Sequence, residues 1–483
     1  MSRINSNVAS LRALRQIDIN QADLGRHLER LSTGLRINRG RDDPAGLIVS
    51  EVLRSEIKST QQAIKNSTRA SNVISTTEGA LNEVSALLLN LQGFVVATAN
   101  EAGLSRDEVR ANQLEVDSIL DSIDRIGATT RFAGTKLLDG SQGYNLSGIA
   151  PASLASVSVF SVLKQSNTTR QVRVQVTQSA LTARLNLIGT TVGGTSTTAA
   201  STVEVRGTLG AQLLSFASGT PLTQVRAAIN NVTAATGVSA IVSAAPIGGV
   251  ASALVLTSTT LGSDAFVSVS PLSGNFVNSS NQGIPSRVTG REASVFIDGA
   301  LANTKGLRTI VRSDSLEAQF ELTTAFAQSN STTTFEVVDG GAVFQLGPEV
   351  NSNGQLRFGF QRISSTALGN SVTGLLYSLR SGQTNDFENK QFDKAQNIVD
   401  EAIQQVAFYR GRLGNIQRNH IDPNIQSQTI AAENLISSES VIRDSDMAKE
   451  VSALSRAQIL VQSTQRVLQI ANAVPNFVLS LLQ

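Results

Sequence analysis

Helical heptad spacing occupies both ends of this chain and is missing from its middle, and the final stretch from Asn415 to Gln483 contains no glycine. Near the start, apolar residues stand at Ile4, Val8, Leu11, Ile17, Leu24, Leu28, Leu31 and Leu35, mostly three or four apart. That spacing is the seam of an α-helix laid along another helix. Near the finish the rhythm returns at Met447, Val451, Leu454, Val461 and Leu468, then drifts onto Ile470, Val474, Phe477 and Leu481. Two seams so far apart in sequence need partners. They either find each other or find other copies of the chain, and both outcomes point to an assembly subunit.

Between the ends the texture changes. From about Ala150 to Gly374 serine, threonine, glycine and valine dominate, and Val172-Arg-Val-Gln-Val176 alternates with the period of a half-buried strand, as do Ser294 to Gly299 and Thr334 to Val337. One helix is expected inside this part, from Thr220 to Asn230, with Thr220 as cap and Pro221 in the first turn. Before it, Asp43-Pro44 reads as a cap and first-turn proline opening a long helix, and Ser105-x-x-Glu108 as a capping box opening another. A short hairpin is expected around Phe132 and Leu137. After the β-rich part, helical spacing resumes from about Asn385, with an interruption expected at Pro423. The fold class is therefore α+β: a long antiparallel coiled-coil rod built from both termini, carrying a β-rich insert. Its expected divisions are 1–43 and 441–483 as coil segments that order on assembly, 44–150 and 375–440 as the helical rod, and 151–374 as the insert.

Composition narrows the function. The 40 basic and 38 acidic residues nearly cancel, so no polyanionic partner is implied. Cysteine is absent and only His27 and His420 could supply imidazole, which leaves thiol, haem and zinc chemistry without ligands. Asp444-Ser-Asp446 with Glu450 lacks the glycine and ligand spacing of a calcium loop. No catalytic, cofactor or metal residue is therefore assigned. His27 is expected to be solvated or at a subunit contact, and the charged run Arg36, Arg39, Arg41, Asp42 and Asp43 to form a solvated turn or a contact loop between subunits. Arg3, Arg12, Arg15 and Asp18 interrupt any apolar core of a secretory signal, and no apolar stretch is continuous enough to span a bilayer.

Several ordered motifs resemble bacterial flagellin. Leu31-Ser-Thr-Gly-Leu-Arg-Ile-Asn38 followed by Asp42-Asp-Pro-Ala-Gly-Leu47, then Thr76-Thr-Glu-Gly-Ala-Leu81 and Arg131-Phe-Ala-Gly-Thr-Lys-Leu-Leu138, are similar to its N-terminal region. Ala431-Ala-Glu-Asn-Leu435, Ile442-Arg-Asp-Ser-Asp-Met-Ala-Lys-Glu450 and Pro475 to Leu482 are similar to its C-terminal one. Residues of about 200–270 resemble the small module inserted in flagellins and hook-associated proteins. The resemblance implies a subunit that self-polymerises into the extracellular flagellar filament for motility. It also implies export unfolded through the flagellar type III apparatus, and partners among a flagellin chaperone, the filament cap and hook-associated proteins. On that reading Arg36, Asp42, Asp43, Arg443 and Asp444 join the seam residues at subunit interfaces, and Val461, Leu468, Phe477 and Leu481 form the chaperone-binding tail. Two alternatives have the same ends: a hook-filament junction protein, and a filament protein whose insert is an adhesin. Where many flagellins carry an arginine-rich, glutamate-containing helix recognised by toll-like receptor 5, this chain reads Leu89-Asn-Leu-Gln-Gly-Phe94, which implies loss of strong recognition.

Overall fold

Three long apolar-striped segments and two runs of alternating strands leave few ways to bury their faces, and a computed structural model shows the arrangement. It describes residues 7–162, 168–188, 200–243, 253–274, 287–313, 315–370 and 372–480. The residues form two units. The first contains Met1–Asn72, Phe344–Gln355 and Asn415–Gln483, the second Val73–Val343 and Leu356–Gly414.

Helix α1 (Val8–Thr33) ends where Gly34 turns left-handed at φ +72° and donates its N–H to the Arg30 carbonyl, a conformation glycine adopts without strain. Helix α2 (Pro44–Thr98) starts as its sequence predicts: the Asp43 carboxylate accepts the Gly46 N–H at 2.9 Å. Helix α3 (Arg106–Thr129) opens on the full capping box, Glu108 N–H to Ser105 Oγ and Ser105 N–H to the Glu108 carboxylate. The expected hairpin is β1 (Arg131–Phe132) against β2 (Thr135–Lys136).

The second unit has two β modules, one nested in the other. Strands β3 (Tyr144–Ser147), β4 (Leu154–Val162) and β5 (Arg170–Gln178) enter the outer module. The chain then leaves for β6 (Thr182–Ile188), β7 (Ser201–Gly207), β8 (Ala211–Phe216), α4 (Leu222–Asn231) and the single turn α5 (Thr233–Thr236). It continues through β9 (Val238–Ser243), β10 (Ala253–Leu261), β11 (Phe266–Ser273) and β12 (Arg287–Thr289). It returns to the outer module with β13 (Ser294–Ile297), β14 (Ala300–Leu301), β15 (Asn303–Lys305), β16 (Arg308–Ser313), β17 (Leu316–Leu322), the turn α6 (Thr324–Ala327) and β18 (Thr332–Gly340). The outer module pairs a sheet ordered β14-β13-β5-β18-β3 with one ordered β15-β16-β17-β4, and all its pairings are antiparallel. Alternation explains the packing. Val172, Val174 and Val176 are buried while Gln171, Arg173 and Gln175 face out, and on the opposed sheet Leu316, Ala318, Phe320 and Leu322 are buried. Phe320 meets Phe335 across the core with ring centroids 5.7 Å apart.

The inner module has its own core, drawn from residues 183–269 and including Val203, Val205, Val225, Ile229 and Leu256. Where it leaves and rejoins the outer module the chain is closed by a bridge: Leu181 N–H donates to the Arg291 carbonyl at 2.9 Å and Arg291 N–H returns to Leu181 at 3.0 Å. Thr220 is not the cap of α4. The helix begins after Pro221 without a side-chain cap, and the Thr220 hydroxyl donates to the Ala217 carbonyl at 2.7 Å, satisfying the turn before the helix instead.

Helix α7 (Phe392–Ile416) buries Ala395, Ile398, Val399, Ala402 and Val406, and Gln92 Nε2 of α2 reaches its Asp400 carboxylate at 2.7 Å. Its Arg412 is buried, paired with Glu317 of β17 at 2.7 Å and stacked over Phe160 at 4.2 Å. Pro423 does not break the helix. The backbone stays helical through a π turn, Gln417–Ile421, where the Asp422 N–H reaches back five residues to the Gln417 carbonyl, and α8 (Asp422–Arg443) then carries Pro423 in its first turn. The wider turn gives the proline ring room past the preceding carbonyls. Helix α9 (Met447–Ser480) completes the first unit, capped by Asp446, whose Oδ1 accepts the Ala448 and Lys449 N–H groups at 3.1 and 3.2 Å.

Candidate assembly interface

Helices α1 and α9 lie antiparallel. Asn7 Nδ2 donates to the Ala471 carbonyl at 2.8 Å, Asn20 Nδ2 reaches Thr464 Oγ1 at 3.3 Å, and His27 Nδ1 meets Glu450 Oε2 at 2.6 Å. The facing positions are Ser10, Ala13, Ile17, Asn20, Leu24, His27 and Leu31 on α1, and Glu450, Leu454, Ala457, Val461, Thr464, Leu468 and Ala471 on α9, each buried or half-buried. Both series step alternately by three and four residues, a strict heptad seam. From Ile17 and from Leu454 onward every seventh residue is large and apolar (Ile17, Leu24, Leu31; Leu454, Val461, Leu468), whereas the positions between are small or polar.

This seam corrects the expected one. Ile17, Leu24, Leu31, Leu454, Val461 and Leu468 belong to it. Val8, Leu11, Leu28, Met447 and Val451 do not, and stand 48% to 64% exposed on other faces of the two helices. Spacing of apolar residues alone merges two stripes: Leu28 follows His27 and Val451 follows Glu450, each about 100° round its helix from the true seam. The polar occupants Asn20, His27, Glu450 and Thr464 were missed because a polar residue reads as surface. Their signal was the unbroken seven-residue register of the residues flanking them. Ile4 and Leu481 lie outside the described residues, as do the side chains of Val474 and Phe477.

His27 is thus neither solvated nor free. Glu450, 8% exposed, takes its hydrogen bond and a second from Arg30 at 3.3 Å. Burial of Glu450 opposes its ionisation, but the His27 and Arg30 contacts more than offset it and hold the carboxyl below its ordinary value.

The charged loop after α1 is tied to its own chain, with the Arg36, Arg39 and Arg41 side chains 45%, 60% and 64% exposed. Arg36 N–H donates to the Arg443 carbonyl at 2.7 Å and its guanidinium to Ile442 O at 2.5 Å, while Ser445 N–H donates to Gly34 O at 2.9 Å and Leu35 bridges Asp444. Asp42 accepts the backbone N–H groups of Arg39 and Asn38 at 2.9 and 3.2 Å, which hold its carboxyl below the usual range. Asp43 caps α2 and sits 3.7 Å from Arg36; Arg443 pairs with Glu51 at 2.9 Å; Asp444 accepts the Ser440 hydroxyl at 2.6 Å. Residues 34–36 thus join the ends of α1 and α8, while Asp42 and Asp43 hold their own turn and the start of α2. The physical reason is proximity: pairing α1 with α9 brings residues 34–36 beside 442–445.

The outward faces also carry large apolar residues among the polar ones. Leu11 is 64% exposed, and Ile459 and Ile470 are each 65% exposed, on helices whose inner faces are already closed by each other. Exposed leucine and isoleucine in stripes along a paired helix mark a surface for another protein. In the second unit Leu88 and Leu91 are buried, while Leu89 is 55% exposed.

Comparison with known proteins agrees with this geometry. The bacterial flagellin N-terminal helical region matches residues 4–143 and the C-terminal helical region residues 396–482. A flagellin of Clostridium tyrobutyricum is 28% identical over 97% of this chain and 98% of its own length, and one of Salmonella rubislaw 29% identical over 99% of each. A flagellin of Bacillus subtilis is 37% identical across 36% of this chain and 56% of its own. With helical regions matched at both ends, and full-length relatives spanning the β modules between them, this chain belongs to the bacterial flagellin family.

Proposed function

We propose that the chain is the structural subunit of a helical flagellar filament, built by self-polymerisation and working outside the cell in swimming. The observation that carries this reading is the α1–α9 pair, sealed on its inner seam and striped with exposed leucine, isoleucine and valine elsewhere. A self-complementary patch joined head to tail yields an open helical assembly whenever the rotation between copies does not close. The chain is a structural element in this reading, without catalysis, cofactor or metal.

The terminal pair forms only transiently in the free chain and orders on assembly. Its seam alternates large residues with alanine, asparagine and threonine, so each seven-residue repeat buries little, and an isolated short pair of this kind is marginal in water. Export through the flagellar type III apparatus with the tail held by a chaperone fits such ends, and Val461, Leu468, Phe477 and Leu481 are the tail positions assigned to that partner. Filament cap and hook-associated proteins are the neighbours expected at the two ends of the polymer.

Purified chain added to sheared filament fragments tests the reading. The unaltered chain should extend the fragments into micrometre-scale filaments. Leu11→Asp with Ile470→Asp, both exposed, should leave the soluble chain's circular dichroism unchanged and abolish extension. Undiminished growth of that variant would remove the outer stripes from the interface, and a short cap that stops growing would mark a junction protein.

A further inference from the structure

The large residues of the α1–α9 seam repeat every seven positions, and so they match equally well if one helix slides past the other by one heptad: Leu454, Val461 and Leu468 are interchangeable partners for Ile17, Leu24 and Leu31. Apolar packing of this kind leaves the register open. Only the polar positions break the repeat. Asn20 is 5% exposed and its side-chain amide meets Thr464 Oγ1 and the Leu460 carbonyl, while its Oδ1 accepts Gln16 Nε2 at 3.1 Å. The positions one heptad to either side of Thr464 are Ala457 and Ala471, and those to either side of Glu450 are Arg443 and Ala457. In a slipped pair Asn20 faces alanine in either direction, His27 faces Ala457 or Arg443, and the Glu450 carboxylate leaves its two cationic partners.

We infer that Asn20 with Thr464 and His27 with Glu450 act as register keys, which make one alignment of the terminal helices the only fully hydrogen-bonded one. Single polar layers set register in coiled coils because a buried group without a partner costs more than the layer gains when matched. The inference rests on the filament reading for its purpose. A tail that enters a growing polymer unpaired meets many equivalent seven-residue repeats, and the keys let it settle in the one that keeps subunits equivalent.

The chain has no cysteine, so engineered pairs report register cleanly. Ala13→Cys with Leu468→Cys, between the Asn7–Ala471 and Asn20–Thr464 contacts, reads the native alignment; Ala13→Cys with Val461→Cys reads a one-heptad slip. Each pair is placed in the native seam and in an apolar seam carrying Asn20→Leu, Thr464→Leu, His27→Leu and Glu450→Leu, where both partners of each key are replaced together and Arg30, 26% exposed, is left to solvent. Oxidation in seeded filaments, and in the soluble chain, should favour the native pair by about tenfold or more in the native seam. In the apolar seam the slipped pair should rise to comparable yield. Retention of the native preference there would overturn the inference and assign register to the Leu35–Asp444 bridge; absence of the native-pair crosslink in both states would overturn it as well. Failure of the native-seam chain to extend filaments would instead sink the filament reading, and the crosslink ratio in soluble chain would still decide this one.

Discussion

At the scale of single residues, a polar group is satisfied either by its near neighbours in the chain or by a partner hundreds of positions away, as Asp43 and Glu450 respectively are. The Asp43 cap and the Ser105–Glu108 box could be read because each signal is complete within four residues, and both form as expected. Asn20, His27 and Glu450 could not, since their role depends on a partner more than four hundred positions away. Glu450 gives this a measurable consequence. Its folded value lies below the ordinary 4.5, so its contribution is complete above that pH and is lost as the pH falls through the lower folded value. Filaments should therefore loosen their terminal helices in acid below about pH 4.5, read as amide exchange over residues 10–31 and 450–471. Glu450→Gln should flatten that dependence while raising exchange at neutral pH. An unchanged acid profile in the variant would place the sensitive group elsewhere.

Elements follow their periodicity wherever one face is fully buried. The β5 alternation reads directly as a strand because every second residue enters the core between two sheets. The α1 and α9 stripes were harder, since two apolar faces compete within one helix and only packing decides which is inner. Pro423 shows a different limit: the sequence marks a disturbance, but the helix resolves it by widening one turn instead of ending. Close approach also leaves little trace in sequence. Gly127 in α3 faces the Ile363 carbonyl so closely that a Cβ there would overlap the oxygen. Gly127→Ala, normally favourable in a helix, should here cost about 1–3 kcal/mol, visible as a lower urea midpoint with unchanged slope. A gain in stability would show that residues around Ile363 yield freely.

For the whole molecule, the division into helical ends and β-rich middle was legible, whereas the nesting was not. The module expected over about 200–270 proves to have strands from Thr182 to Thr289, because β6 and β12 flank it and belong to its sheets. Sequence composition cannot show which strands share a sheet when pairing jumps from β6 to β10. Nesting predicts that removing Thr182–Gly290 and joining Leu181 to Arg291 through a short glycine-serine linker leaves the outer module folded. Such a chain should still extend filament fragments at a rate within about threefold of the full chain, a difference under 1 kcal/mol. Collapse into aggregates would mean the inner module supports the outer core.

The Leu181–Arg291 clasp has a wider consequence. It makes the polymer-forming residues indifferent to what is spliced between the two ends, so drift in that stretch is filtered by its own foldability and by whatever the surroundings select. Repeated once per subunit, the splice point turns a propelling fibre into a regular display lattice, whose decoration can be exchanged without redesigning the fibre.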